Sequence, residues 1–125
     1  MKTVIILDTN SLMAVAQFKI DIFTAIDAVM NLPYQLTVLD KTLAELHQIQ
    51  RNSKGKDGQA AKLALNLVTA KHLSLLLTGP GKVDDHLVAF SRAGALILTQ
   101  DQELKRRLQR PYMTIRQKKS VILVP

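Results

Sequence analysis

The sequence contains no cysteine and no tryptophan. The first absence excludes a disulfide scaffold, a thiolate zinc site and a cysteine nucleophile together. The second, with aromatics at only 4%, removes the base-stacking platform that many single-strand binders use. Acids are scarce too: 10 Asp plus Glu stand against 17 Lys plus Arg, a formal net charge of +7. No apolar run approaches the roughly 18 uninterrupted residues of a membrane span. The apolar start is too short for a signal peptide and is closed at once by Asp8. The three His are not paired at metal-ligand spacing. What is present is a chain of 125 residues, 47% hydrophobic and 22% charged, the balance of one compact domain with a real core. A soluble, cytoplasmic protein is expected, and its positive charge suits a polyanionic partner.

The patterning alternates strands with helices. Thr3 to Leu7 is a continuous aliphatic run, as a strand buried on both faces requires. Ser11 to Phe18 and Asp21 to Met30 read as helical, the second ending before Pro33, which cannot continue a helix. Gln35 to Leu39 reads as a strand, and Asp40 to Gln50 as a helix with Leu43, Leu46 and Ile49 on one face. Arg51 to Gly58 has no apolar residue and is expected to be a loop. Ala60 to Ala70 reads as a helix and Leu73 to Leu77 as a strand stopped by Gly79-Pro80-Gly81. Asp84 to Ala93 should be a helix ended by Gly94, Leu96 to Thr99 a strand, and Asp101 to Gln109 a helix. Met113 to Arg116 and Val121 to Val124 read as short strands, with a hairpin at the sheet edge as one arrangement. With no repeat and no boundary, a single domain over residues 1–125 is expected, with an α/β fold and a largely parallel sheet.

The few acids therefore carry information. In an open parallel sheet, ligands bind beyond the carboxyl ends of the strands. Asp8 closes the first strand, and Asp101 follows the fourth in Thr99-Gln100-Asp101. If those strands are neighbours the carboxylates converge, and converging carboxylates repel unless cations neutralise them. Oxygen donors without Cys or paired His favour Mg²⁺ or Mn²⁺. Each acid also has a plain structural use. Thr42-Leu-Ala-Glu45 fits a capping box. Asp84 fits an N-cap with Asp85 in the first helical turn, and Asp101 fits the same use. Asp8 alone shows no capping pattern on this reading.

Taken in order, the acids resemble those of PIN-domain ribonucleases. Ile5-Ile-Leu-Asp8-Thr9-Asn10 is similar to that family's opening strand, and Leu43-Ala-Glu45-Leu46 to its helix after strand two. Asp85-His-Leu-Val-Ala89 matches its third motif, and Leu98-Thr99-Gln-Asp101 its fourth. The resemblance runs from Met1 to about Val124. It implies a three-layer α/β/α sandwich with sheet order 3-2-1-4-5 and a metal-dependent endoribonuclease site. On it, Asp8, Glu45, Asp85 and Asp101 are the catalytic residues and the ligands of Mg²⁺ or Mn²⁺, and Asn10 and Thr99 hold those ligands in place, with Asp84 beside them. The tail Arg116-Gln-Lys-Lys119-Ser-Val-Ile-Leu is similar to an archaeal-type branch that also resembles endonucleases processing small-subunit ribosomal RNA. VapC toxins share the acids. The implied partners are RNA, a protein antitoxin or a ribosome-assembly protein, and a second copy of the chain, with no membrane.

An acidic cluster repels RNA, so cations must hold the strand. Arg51, Lys54 and Lys56 fall in the expected loop, and Arg106, Arg107, Arg110, Lys118 and Lys119 lie near the C-terminus. Other classes fit less well. Gly79-Pro80-Gly81-Lys82 lacks the spacing of a phosphate loop. A haloacid-dehalogenase phosphatase needs a second Asp where Asn10 stands, and a phosphoreceiver needs adjacent acids after strand one. The non-enzymatic alternative is an RNA-binding or ribosome-assembly module that keeps the fold with little or no activity.

Overall fold

The computed structural model describes residues 2–125. In chain order the elements are β1 (Thr3–Leu7), α1 (Thr9–Phe18), α2 (Ile22–Val29), β2 (Tyr34–Leu39), α3 (Asp40–Asn52), α4 (Lys56–Ala70), β3 (Ser74–Leu76), α5 (Val83–Arg92), β4 (Leu96–Leu98), α6 (Gln102–Arg107), β5 (Tyr112–Arg116) and β6 (Ser120–Val124). They build one six-stranded sheet of order β3-β2-β1-β4-β5-β6. All pairings are parallel except the β5–β6 hairpin. The expected order 3-2-1-4-5 is present, with β6 added at its edge.

Alternation along β1 divides the core. Ile5 and Leu7 face one layer, with Leu12 of α1, Ile26 of α2, Leu46 of α3 and Ala61 of α4. Ile6 faces the other, with Leu87 of α5 and Leu104 of α6. The helices therefore flank the sheet on both sides, as a parallel sheet requires. Burying an aliphatic side chain completely contributes about 1.5–3 kcal/mol, and Ile5, Ile6, Leu7, Ile97 and Leu98 are all fully buried at the centre of the sheet.

The expected loop at 51–58 is much shorter than its composition suggests. Helix α3 runs through Arg51 to Asn52, and α4 begins at Lys56, leaving Ser53-Lys54-Gly55 as the connection. The two helices pack as a tight hairpin, and Gly58 is where they meet: a Cβ there would stand 1.9 Å from the Ser53 carbonyl oxygen. The polar, glycine-containing stretch is the exposed tip of this hairpin, with Gly58 chosen for close approach and not for mobility. Among the described residues, no helix is long and apolar enough to cross a membrane.

Candidate active site

Leu7 of β1 pairs with Leu98 of β4, so the residues that follow these strands emerge side by side at the carboxyl edge of the sheet. Asp8 and Thr99 are the first on each side. The Asp8 amide donates to the Leu98 carbonyl at 3.3 Å, and the Ser11 hydroxyl donates to the same carbonyl at 3.0 Å. This ties the first turn of α1 to the end of β4.

Asp8 is the N-cap of α1, its Oδ1 accepting the Ser11 amide at 2.7 Å. The expectation that Asp8 has no capping role is thereby corrected. The signal was legible as an Asp three residues before a Ser, and Ser11 is the residue sequence reasoning missed. Burial raises the Asp8 carboxyl above its ordinary range. Hydrogen bonding from Thr99 and Ser11 opposes that rise, and the charge of Asp101 adds to it. Asp101 caps α6, its Oδ1 accepting the amides of Glu103 at 2.9 Å and Leu104 at 3.1 Å. The Thr99 hydroxyl accepts the Asp101 amide at 3.1 Å. Thr99 thus bonds to both acids.

A cavity of about 160 Å³ opens at this point, lined by Asp8, Asn10, Glu45, Asp84 and Asp101 with Thr9, Val83, Leu87 and Leu104. Among the described residues, four carboxylates and no Lys or Arg line it. Glu45 reaches it from α3. That helix starts at Asp40 with Leu39 as a cap that makes no side-chain bond, and the buried Thr42 hydroxyl has no partner. The capping-box reading of Thr42 and Glu45 is therefore corrected: both lie inside the helix, and Glu45 is left free to face the cleft.

One expectation about α5 is also corrected. Its N-cap is Lys82, with Asp84 and Asp85 both in the first turn, so Asp84 caps nothing. Asp84 lines the cavity and Asp85 does not. Asp85 is held on the outside by Arg107 of α6, whose Nη2 lies 2.6 Å from its Oδ1. That guanidinium keeps the Asp85 carboxyl below its usual range. Successive helical residues point about 100° apart, and that rotation puts the first acid of the pair at the cavity and the second beside Arg107.

The sheet order, the alternating layers and one cavity lined by four acids beside the carboxyl ends of β1 and β4 point to one family, and its sequence profile, that of a PIN-like domain, matches residues 5–118. The chain belongs to the PIN-like domain family. It is similar to ribonuclease VapC4 of Methanocaldococcus jannaschii, with 31% identity over 92% of each chain. Its fold is similar to that of the PIN domain endonuclease Utp24, with a TM-score of 0.77 at 21% identity, covering 96% of this chain and 90% of that one.

The cations of this PIN domain fall into separate groups. Arg51, Lys54 and Lys56 are exposed at the α3–α4 tip. Arg106 and Lys119 are also exposed, whereas Arg107 is engaged by Asp85. Lys118 stands 5.0 Å over the Phe18 ring. Arg110 is not with them: it lies toward the opposite end of the sheet, lining a different cavity.

The donor set fits a hard divalent cation, since it is made of carboxylate oxygens and an amide without sulfur or imidazole. Among the described residues, no three acidic or His side chains already stand close enough to form a ready ion site. The shared cavity, the absence of Lys and Arg from its described lining and the unfavourable charge of Asp8 are the features that match.

Proposed function

We propose that this PIN domain is a divalent-metal-dependent endoribonuclease, acting in the cytoplasm on RNA phosphodiesters, with Asp8, Glu45, Asp84 and Asp101 as its catalytic carboxylates. The observation that supports it is one cleft lined, among the described residues, by four carboxylates and no Lys or Arg, at the carboxyl ends of adjacent strands. The similarity to a protein named as a ribonuclease gives the substrate class. Asp84 takes the place first expected for Asp85.

Mg²⁺ or Mn²⁺ held by these carboxylates would activate the attacking water and neutralise charge gathering on the phosphate. The chain itself supplies rigidity. Asp8 and Asp101 each spend one oxygen on backbone amides of a helix start, which fixes their rotamers. Ser11 ties the start of α1 to the end of β4, and the Thr99 hydroxyl holds the Asp101 amide. Asn10, exposed at the rim, offers an amide to a phosphate oxygen. Water adds to phosphorus in line with the departing oxygen and gives up a proton, the P–O bond breaks, and the departing oxygen takes up a proton, so that water's elements are divided between the two products. Arg51, Lys54 and Lys56 with Arg106 and Lys119 supply sequence-independent backbone contacts that offset the acidity of the cleft. The expected protein partner is an antitoxin or a ribosome-assembly factor, and self-association is an expectation of the same order.

Cleavage of a labelled RNA pool, measured in chelator and after adding back Mg²⁺ or Mn²⁺, tests this reading. Cleavage is expected only with metal. Cleavage in excess chelator overturns the metal-dependent mechanism. RNA binding without cleavage under all conditions favours the assembly-module alternative.

A further inference from the structure

The opposite, amino-terminal end of the sheet carries a second feature that the cleft does not use. Two cavities meet there, sharing Thr3, Gly94 and Ala95. One, of about 500 Å³, lies against Leu32, Pro111 and Leu123, and the other, of about 640 Å³, against Gln35, Leu76 and Phe90. The second exists because only α5 and α6 pack on that layer, leaving part of the β2–β3 face uncovered. Leu32 is 66% exposed and Leu123 40%, although both are large aliphatic residues. Together the cavities form an apolar groove crossing the strand ends.

Its charge is one-sided. Lys2, Arg92 and Arg110 line it, and among the described residues no Asp or Glu does. Arg110 donates one bond to the Pro125 carbonyl at 3.3 Å, which holds its guanidinium at the groove wall. The cleft at the other end gathers four of the chain's 10 acids. The two depressions thus differ in charge, with carboxylates lining the cleft and cations lining the groove. Strands spaced about 4.8 Å apart make a six-stranded edge roughly 24 Å long, the span of about seven extended residues.

We infer that this groove is a docking site for an extended acidic–apolar peptide segment of a partner protein. Its aliphatic side chains would fill the two cavities and its carboxylates would meet Lys2, Arg92 and Arg110. A second copy of this chain is disfavoured, because the same groove on both partners would set cations against cations. RNA is disfavoured by the aliphatic lining, which offers Phe90 as its one aromatic ring.

The test uses a fluorescent Leu-Asp-Ile-Glu-Leu-Asp-Ile-Glu peptide and its counterpart with Lys at every acidic position, binding to the whole chain being read by anisotropy. Amide chemical shifts locate the contact. The acidic peptide is expected to bind, with shifts at Thr3, Leu32, Gly94 and Leu123 and none at Asp8, Asp84 or Asp101. Arg92→Glu combined with Arg110→Glu should weaken binding roughly ten-fold or more and flatten its salt dependence. Leu32→Ser, at an exposed position that folding does not need, should weaken it as well. RNA cleavage by these variants is expected to match the parent, so failure here is distinct from failure at the cleft. The inference is overturned by equal binding of the two peptides, by shifts confined to the cleft or the α3–α4 tip, or by no binding at millimolar peptide. It is equally overturned if sedimentation shows a dimer that Leu32→Ser dissolves, since the occupant is then a second copy.

Discussion

Asp85 and Arg107 form the one ion pair among the described residues, and it lies on the outer side of α5, turned away from the cleft that Asp84 lines. Two adjacent acids of identical chemistry are thereby given different surroundings by one helical step.

Asp84→Asn is expected to lower kcat/KM for RNA by roughly 100-fold or more, the scale on which a group stabilising transition-state charge acts. Asp85→Asn should leave kcat/KM within a few-fold and shift Tm only slightly, because an exposed ion pair is screened by solvent. Parallel kinetics and melts of the two variants check this. The reverse ranking would return the site to Asp85.

Asp8→Asn should remove activity and yet raise stability near neutral pH in metal-free buffer. Burial raises the native carboxyl above the 3.8 of the unfolded chain, so below that value both states are protonated and the group is neutral in effect. As pH rises past 3.8 and through the higher native value, the unfolded state ionises more readily and native stability is lost. Asn retains the capping oxygen, Asn and Asp being equivalent caps, and removes the charge. Melting temperatures from pH 3 to 7 should show a gap in favour of Asn that opens with pH. A variant less stable than the parent at pH 7 contradicts the burial argument.

Replacing Arg51, Lys54 and Lys56 together by Ala should weaken RNA binding across unrelated sequences. It should also reduce the slope of log Kd against log salt by up to about two, near 0.7 for each lost single-strand phosphate contact. Binding titrations over a salt series give both quantities. An unchanged slope would show that the α3–α4 tip does not touch the phosphate backbone.

Gly58→Ala tests the helix hairpin. Helix propensity alone favours Ala by about 1 kcal/mol, but the added methyl meets the Ser53 carbonyl. A net loss of about 1–3 kcal/mol is expected, as overpacking against unyielding backbone causes. Denaturant unfolding measures it, and a stabilised variant would mean that α3 and α4 can move apart freely.

Much of this was legible in the sequence because the buried sheet writes itself in unbroken aliphatic runs. Thr3 to Leu7 and Leu96 to Leu98 announce central strands, and Asp8 and Asp101 follow them directly. Helix starts were read less well, because capping depends on where the backbone leaves the strand. Asp8 looked free and proved to be a cap, whereas Thr42 and Asp84 looked like caps and lie inside helices. The choice between Asp84 and Asp85 depended on the phase of α5, which a one-residue shift in its first residue reverses. The role of Gly58 was hidden for a different reason: composition reports polarity and glycine content, whereas the close approach of Ser53 is a tertiary fact.

The brevity of β4 has a consequence for how the molecule opens. Three residue pairs join it to β1, from Ile5↔Leu96 to Leu7↔Leu98, and with the packing of α2 on β6 they form the seam between the first 76 residues and the segment from α5 onward. Asp8 and Glu45 belong to one side of that seam, Asp84 and Asp101 to the other. A sub-global opening along it would separate the four carboxylates into two pairs while leaving each helix wound. Slow exchange of the Asp8 amide, which bonds across the seam to Leu98, would therefore report the lifetime of the cleft itself. The cleft is assembled by the docking of two half-sheets, and neither half contains it.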